Sequence, residues 1–264
     1  MNLAEITVSV MEIAAEAGRY IMSEADQFDA SSVSLKGVND FVTHVDRGSE
    51  QLLVTRLGKL IPSAGFVVEE NTSTAAGEKY RWIVDPLDGT TNFIHRVHPF
   101  AISIALAEDD KILSGVVHEA SGREVFHAWE GGGAYLNGKK IKVSSNGTLG
   151  SGFIATGFPY NDFTRLQGYL DTLSYLMKNC VGVRRMGAAS VDLSYVACGR
   201  FEAFFEYGLK QWDIAAGSVI ITEAGGMVSD FSGKSDLLTG KEFIASNSLV
   251  HPEMLKIISN FMGH

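Results

Sequence analysis

The stretch Trp82-Ile83-Val84-Asp85-Pro86-Leu87-Asp88-Gly89-Thr90-Thr91-Asn92-Phe93 changes character twice in quick succession. Trp82 to Val84 has the aromatic and β-branched make-up of a buried strand. Pro86 has no N–H to give to a central ladder, so the strand is expected to end at Asp85. Asp88-Gly89-Thr90-Thr91 then reads as a loop entering a helical turn, with Asp and Thr as cap residues. Two carboxylates at a strand end, beside main-chain N–H groups at a helix start, are suited to holding hard cations and an anion side by side. That combination points to metal-assisted phosphate chemistry. Taken alone, the Asp-x-x-Asp-Gly-Thr-Thr segment reads equally well as a tight turn.

On the N-terminal side, Gly65 to Val68 is an apolar strand that delivers Glu69-Glu70 at its end, and Asn71 to Lys79 is a polar loop. Asp46 sits where a helix begins; that helix carries Leu52, Leu53, Leu57 and Leu60 and stops before Pro62. Ser32 to Leu35 reads as a short strand ending at Lys36-Gly37. Leu3, Ile6, Val10, Ile13, Ala14, Ala17 and Ile21 recur at helical spacing among charged residues, which makes the N-terminus an amphipathic helix and not a signal peptide.

On the C-terminal side, Phe100–Ala107, Ile112–His118 and Glu124–Trp129 form an antiparallel meander, followed by an Asn137-Gly138 hairpin. Ser144 to Gly152 is rich in Ser, Gly and Asn and is the best boundary in the chain. It divides an N-terminal α+β unit, residues 1–145, from a C-terminal α/β unit, residues 146–264. Beyond it, strands at Phe153–Ala155, Val181–Arg184, Phe201–Phe205, Met227–Val228 and Phe243–Ala245 alternate with helices near 162–178, 188–197, 213–223 and 252–262. Such alternation is the mark of α/β layers.

The chain has 264 residues, 45% of them hydrophobic, enough for one large domain or two modest ones. A formal charge of −9 and a pI near 5.3 leave no electrostatic footprint for nucleic acid. Bound cations would let an acidic protein accept an anionic substrate. Two cysteines without metal-ligand spacing fit a reduced, cytoplasmic setting, and no apolar run is long enough to cross a membrane.

Carboxylates thus stand at strand ends or helix starts in several places: Asp46, Glu69, Asp85 with Asp88, and Asp213 in Trp212-Asp213-Ile-Ala-Ala-Gly217. Singly, each has an ordinary reading. Asp213 is the natural N-cap of an Ala-rich helix, Glu69 a solvated loop acid and Asp46 a helix-start residue. An EF-hand loop is excluded, because Leu87 falls where an oxygen ligand is needed and the glycine comes one position early. An aspartate-nucleophile phosphatase would usually show Asp-x-Asp after the strand instead of Asp-x-x-Asp, and it stays as an alternative. Gly131-Gly132-Gly133 reads as turn chemistry, His95-x-x-His98 lacks a third ligand, Asp230 is a turn acid, and Arg184-Arg185 stays open between a substrate neighbour and a structural ion pair.

Asp85-Pro-Leu-Asp-Gly-Thr-Thr-Asn-Phe93 together with Trp212-Asp213-Ile-Ala-Ala-Gly217 closely resembles the inositol monophosphatase family, over nearly the whole chain. Thr43-x-x-Asp46, Glu69-Glu70, Gly131–Gly138 and Glu223-Ala-Gly-Gly226 are also family-like. Val68 departs from the glycine many members carry before the acidic pair, and Gln211 from the proline that often precedes the tryptophan. The resemblance implies an α/β (α+β) fold, a layered αβαβα sandwich, and a homodimer inhibited by lithium. It implies a metal set of Glu69, Asp85, Asp88, Asp213 and the Leu87 carbonyl for two to three Mg²⁺, with Asp85 shared by two ions. Thr90, paired with Asp46, would orient or deprotonate the attacking water, with Glu69 assisting; Gly89 and Thr90 N–H groups would hold the phosphate. Asp88, the Ala189 main chain and Glu206 would contact substrate. The activity implied is direct hydrolysis of inositol monophosphate or a similar small polyol or sugar phosphate. Sister enzymes on fructose 1,6-bisphosphate, histidinol phosphate or 3′-phosphorylated nucleotides remain alternatives, as does a non-enzymatic interaction platform.

Overall fold

The computed structural model describes residues 1–25, 34–37, 40–73, 75–235 and 241–263. The chain opens with helix α1 (Leu3–Ala25), the antiparallel pair β1 (Ser34–Gly37) and β2 (Asp40–Val42), and helix α2 (His44–Leu60). Ser32 and Val33, the beginning of the expected first strand, lie outside the described residues. Next come β3 (Gly65–Val68), β4 (Tyr80–Asp88), the short helix α3 (Thr90–Ile94), β5 (Ala101–Glu108), β6 (Lys111–Glu119), β7 (Glu124–Trp129), β8 (Gly133–Leu136) and β9 (Lys139–Ile141). These seven strands form one sheet in chain order, antiparallel except where β3 runs parallel to β4.

A second sheet takes β10 (Phe153–Thr156), β11 (Gly182–Arg184), β12 (Ala203–Tyr207), β13 (Met227–Ser229) and β14 (Glu242–Ser246) in the order β11-β10-β12-β14-β13. Its helices are α4 (Leu166–Asn179), α5 (Ala189–Ala197), α6 (Gln211–Glu223) and α7 (His251–Met262). Three apolar clusters mark the layer interfaces. One joins α1 and α2 to the first sheet, one joins both sheets to α5 and α6, and one joins the second sheet to α4 and α7. The result is the αβαβα sandwich.

Strand β5 shows why the layers form. Ile102, Ile104 and Leu106 point to the α1/α2 cluster, whereas Ala101, Ala105 and Ala107 point to the α6 side. Each large side chain contributes about 1.5–3 kcal/mol on burial. The small face lets α6 approach closely: a methyl group at Gly115 would stand 2.6 Å from the Ala216 carbonyl oxygen. Between the two sheets, Ile214 to Ile221 of α6 are all buried, as befits a helix with no solvent face.

Several sequence expectations are corrected. Strand β4 does not stop at Asp85 but continues to Asp88 through a bulge. Asp85 pairs with Ser103 and Asp88 with Ala101, so β4 advances three residues while β5 advances two. Pro86 is tolerated because the bulge interrupts the ladder where its missing N–H would be needed. Helix α6 starts at Gln211, so Asp213 is its third residue and not its N-cap. Helix α4 starts at Leu166; Asp162 instead folds a turn by accepting from the Thr164 N–H at 2.9 Å. Strand β12 lies two residues later than expected, which places Glu206 within it, opposite Phe243.

Candidate active site

Helix α2 begins with Thr43 as N-cap and Asp46 at the third position. Asp46 Oδ2 accepts from the Thr43 N–H at 2.8 Å, while Thr43 Oγ1 accepts from the Val45 N–H at 3.0 Å. This box fixes the Asp46 carboxylate, and its other oxygen, Oδ1, accepts from the Thr90 hydroxyl at 2.9 Å. The same hydroxyl lies 3.0 Å from the Leu87 carbonyl oxygen. Burial pushes the Asp46 carboxyl up, and the bonds from Thr43 and Thr90 hold it back.

Glu69 follows β3, Asp85 and Asp88 bracket the β4 bulge, and Asp213 lies in the first turn of α6. All four acids line one cavity of ≈ 190 Å³, with Leu87, Gly89, Thr90 and Ala189. Each aspartate anchors one oxygen to a main-chain donor: Asp85 Oδ1 to the Leu87 N–H at 2.9 Å, Asp88 Oδ2 to the Ser190 N–H at 2.7 Å, and Asp213 Oδ2 to the Lys210 N–H at 2.6 Å. Anchoring fixes the carboxylates and leaves their second oxygens for a ligand. Asp46 and Glu206 stand behind the cavity wall. Asp46 reaches the cavity through Thr90, and Glu206 is 3% exposed.

The electrostatics call for a cation. Burial first, then the charges of Glu69, Asp88 and Asp213, hold the Asp85 carboxyl well above the usual carboxylate range. Asp213 is pushed up to about 7 by burial and by Asp88. Asp88 is raised by burial against the opposing bonds from Ser190. Among the described residues, none of the ion pairs includes Asp85, Asp88 or Asp213. Nor do three or more Asp, Glu, His or Cys side chains among them form a ready-made cage. Mg²⁺ fits this arrangement: it takes hard oxygen donors, one or two carboxylates at a time, and completes its shell with water and phosphate oxygens.

Gly89 has φ +88°, and a Cβ there would meet the Pro99 carbonyl oxygen at 3.0 Å and the Ala188 methyl at 3.2 Å. Only glycine both adopts the turn and lets the β4–α3 corner press against the start of α5. Sequence reasoning missed two residues here and left a third open. Ser190 holds Asp88 through its N–H and its hydroxyl, at 2.7 and 2.6 Å. Asn92 donates to the carbonyls of Pro99 and Met186, at 2.8 and 2.9 Å, and ties α3 to the segment before α5. Arg185, the open one, lines the cavity and donates to the Tyr160 hydroxyl at 3.2 Å, whereas Arg184 lies over the Phe153 ring at 4.6 Å. Asn92 lies within the opening stretch, and its amide was the available signal; the pairing of Ser190 with Asp88 leaves no local trace. Gly132 closes the expected turn by donating to the Trp129 carbonyl at 2.9 Å, while Gly131 and Gly133 also give their N–H groups to the Glu223 carboxylate of α6, at 2.9 and 2.8 Å.

An acidic cavity lined from a strand bulge and two helix starts, on an αβαβα sandwich, is of the kind that suits a phosphatase. The inositol monophosphatase family model matches residues 2–262, and the chain belongs to that family. It is 41% identical to Nus factor SuhB of Pseudomonas aeruginosa, over 94% of this chain and 93% of that protein. It is 38% identical to inositol-1-monophosphatase of Mesorhizobium japonicum, over 94% of each. The crystal structure of the extragenic suppressor protein suhB from Bartonella henselae superposes with a TM-score of 0.91 at 38% identity, covering 96% of this chain and 98% of that one. Membership makes the protein a phosphatase of this superfamily, one whose members generally use Mg²⁺ and act on small phosphorylated molecules.

Proposed function

We propose that the protein is a Mg²⁺-dependent phosphomonoesterase for inositol monophosphate or a similar small polyol phosphate. The observation that carries this reading is the set of four acids from separate segments around one cavity, with Asp85 pressed by the other three. Glu69, Asp85, Asp88, Asp213 and the Leu87 carbonyl would hold two to three Mg²⁺. Bound there, the ions supply Lewis acidity toward the attacking water and the leaving alkoxide. The protein's own role is to place the rest. The Thr90 hydroxyl, held by Asp46 Oδ1, orients the attacking water and relays its proton to Asp46, with Glu69 assisting from the same cavity. Gly89 and Thr90 N–H groups hold the phosphate. Asp88 and the Ala189 main chain meet the polyol hydroxyls; Glu206, behind the cavity wall, meets one only once its side chain reaches past that wall. Water attacks phosphorus directly and no aspartate becomes phosphorylated.

A homodimer accords with exposed Phe158 and Met177, which line an apolar hollow of ≈ 360 Å³ with Leu173 and Val183. Two free cysteines accord with a cytoplasmic setting, and no helix among the described residues is long and apolar enough to cross a membrane. Lithium inhibition is expected.

The test is Mg²⁺-dependent phosphate release from inositol 1-phosphate, glycerol 2-phosphate, fructose 1,6-bisphosphate, histidinol phosphate and 3′-phosphoadenosine 5′-phosphate. Preference for the first two supports the reading, and release from the bisphosphate alone would move it to a sugar bisphosphatase. The relatives called Nus factor SuhB favour a second reading, a Nus-factor role on the same fold. Silence across the panel with Mg²⁺ present would favour that reading. The intact acid set, which such a role does not need, favours the enzyme.

A further inference from the structure

One buried face of α2 carries polar side chains where a core-facing helix usually carries apolar ones. Asp46, Ser49 and Glu50 are each 0% exposed. Spacings of three and four residues put them on one stripe. Asp46 bonds to a residue that lines the acidic cavity, and Ser49 and Glu50 bond to main chain near residues that line it. Asp46 holds Thr90. The Ser49 hydroxyl donates to the Pro86 carbonyl at 2.9 Å, inside the β4 bulge. Glu50 accepts from the Glu70 N–H through Oε2 at 2.7 Å and from the Thr72 N–H through Oε1 at 2.8 Å.

Packing alone does not explain this stripe. Val45, Leu53 and Leu57 already bury α2, and apolar residues at 49 and 50 would avoid the cost of desolvating a hydroxyl and a carboxylate. Among the described residues no ion pair neutralises Glu50; its charge is held by two main-chain N–H groups. The Glu70 N–H follows Glu69 directly, and the Thr72 N–H lies three residues beyond it. The carbonyl that Ser49 grips lies between Asp85 and Leu87.

We propose that Ser49 and Glu50 are positioning residues for the metal centre. Glu50 fixes the main chain that presents Glu69, and Ser49 fixes the bulge that presents Asp85, the Leu87 carbonyl and Asp88. Helix α2 is thereby a single rigid brace that sets the distance between the catalytic pair Asp46–Thr90 and the metal-binding oxygens. The proposal rests on the metal-dependent reading above, and its test is direct binding of the metal alone.

Mn²⁺ and Mg²⁺ are titrated calorimetrically into the metal-free full chain, as wild type, Glu50→Gln, Ser49→Ala and a control, Thr55→Ala, whose exposed hydroxyl bonds only to the Gln51 carbonyl of its own helix. A glutamine offers one acceptor oxygen where the carboxylate offers two, so one of the two N–H groups loses its partner. Glu50→Gln is expected to raise the metal Kd about 10–100-fold, the range for residues that orient metal ligands. Ser49→Ala should raise it roughly fivefold, the scale of one lost neutral hydrogen bond, and Thr55→Ala should leave it unchanged. Thermal melts of the metal-free variants separate positioning from plain stability. A lower Tm with an unchanged Kd, measured well below the melting range, would overturn the proposal. Should Glu50→Gln not fold, Ser49→Ala carries the test, and a wild-type Kd there would overturn it as well. Wild-type protein that binds neither ion would instead remove the metal-dependent reading itself.

Discussion

Asp88 accepts through one oxygen, Oδ2, from both the N–H and the hydroxyl of Ser190, a residue 102 positions later. Ser190 is the second residue of α5, and the N-cap of that helix, Ala188, has no side chain that could cap it. The carboxylate at the end of β4 therefore serves as the cap of a helix from the other sheet's half of the sandwich. One acid both closes a helix and lines the cavity, so it ties the two halves together at the cavity wall.

Ser190→Ala keeps the N–H and removes the hydroxyl. A hydrogen bond of this kind contributes about 1 kcal/mol, which corresponds to a fall in Tm of about 2–4 °C for a chain of this size. The concentration of Mg²⁺ at half-maximal activity should rise as well. Melting and a Mg²⁺ titration check both. Wild-type values for each would show that Asp88 is held by other means.

Thr90→Ala leaves every carboxylate in place and removes the hydroxyl that Asp46 orients. Loss of a positioned proton-transfer group costs about 10²–10⁴-fold in rate. The effect should fall on kcat, with KM for substrate little changed. A variant with normal kcat and raised KM would move Thr90 from catalysis to binding.

The buried acids give stability a pH dependence of unusual sign. Asp85 and Asp213 hold protons more tightly folded than unfolded, Asp213 up to about 7. Between the ordinary carboxylate range and about 7 the folded state binds more protons, so metal-free stability falls as pH rises through that window. Mg²⁺, if held there as proposed, would replace those protons. Metal-free Tm should decrease from pH 5 to pH 8, and Mg²⁺ should raise Tm more at pH 8 than at pH 6. Calorimetric scans at the three pH values check it; a Mg²⁺ effect independent of pH would contradict it.

Gly157 leaves room for the Glu206 carboxyl, since a Cβ there would stand 1.9 Å from Glu206 Cδ. Gly157→Ala must displace that side chain. With Glu206 as the residue that reads a polyol hydroxyl, KM for inositol 1-phosphate should rise about tenfold, an estimate at the scale of one hydrogen bond to a charged group. Mg²⁺ binding should be unaffected. An unchanged KM would take Glu206 out of the substrate site.

Much of this was legible in the chain because it is local. The hydrophobic period of α1, the meander of β5 to β7, and the Asp85–Phe93 and Trp212–Gly217 motifs each carry their signal within a few residues. The expected end of β4 at Asp85 failed because a bulge depends on pairing with β5, and Pro86 looks the same in sequence whether it ends a strand or sits in a bulge. Asp213 was expected to cap α6 because Asp is favourable both at the N-cap and at the third position, where it bonds back to the Lys210 N–H. The bonds of Ser190 to Asp88 and of Glu50 to Thr72 join residues far apart, each an ordinary polar residue in its own surroundings. Only the folded sandwich shows their partners.

The sharpest check on a metal-run phosphatase centred on Asp85 is phosphate release from inositol 1-phosphate, with and without Mg²⁺, for wild type and Asp85→Asn. The substitution removes the acidic group that the other three acids crowd. Wild type should require Mg²⁺, and Asp85→Asn should lose activity on the order of 100-fold or more, the scale of several kcal/mol supplied by a bound metal. The variant should keep its circular dichroism spectrum and melt no lower than metal-free wild type, because it removes a buried ionisable group without changing its size. Substantial Mg²⁺-dependent turnover in folded Asp85→Asn, or a phosphorylated aspartate trapped at Asp85 or Asp88, would contradict both the shared-metal role and direct attack by water.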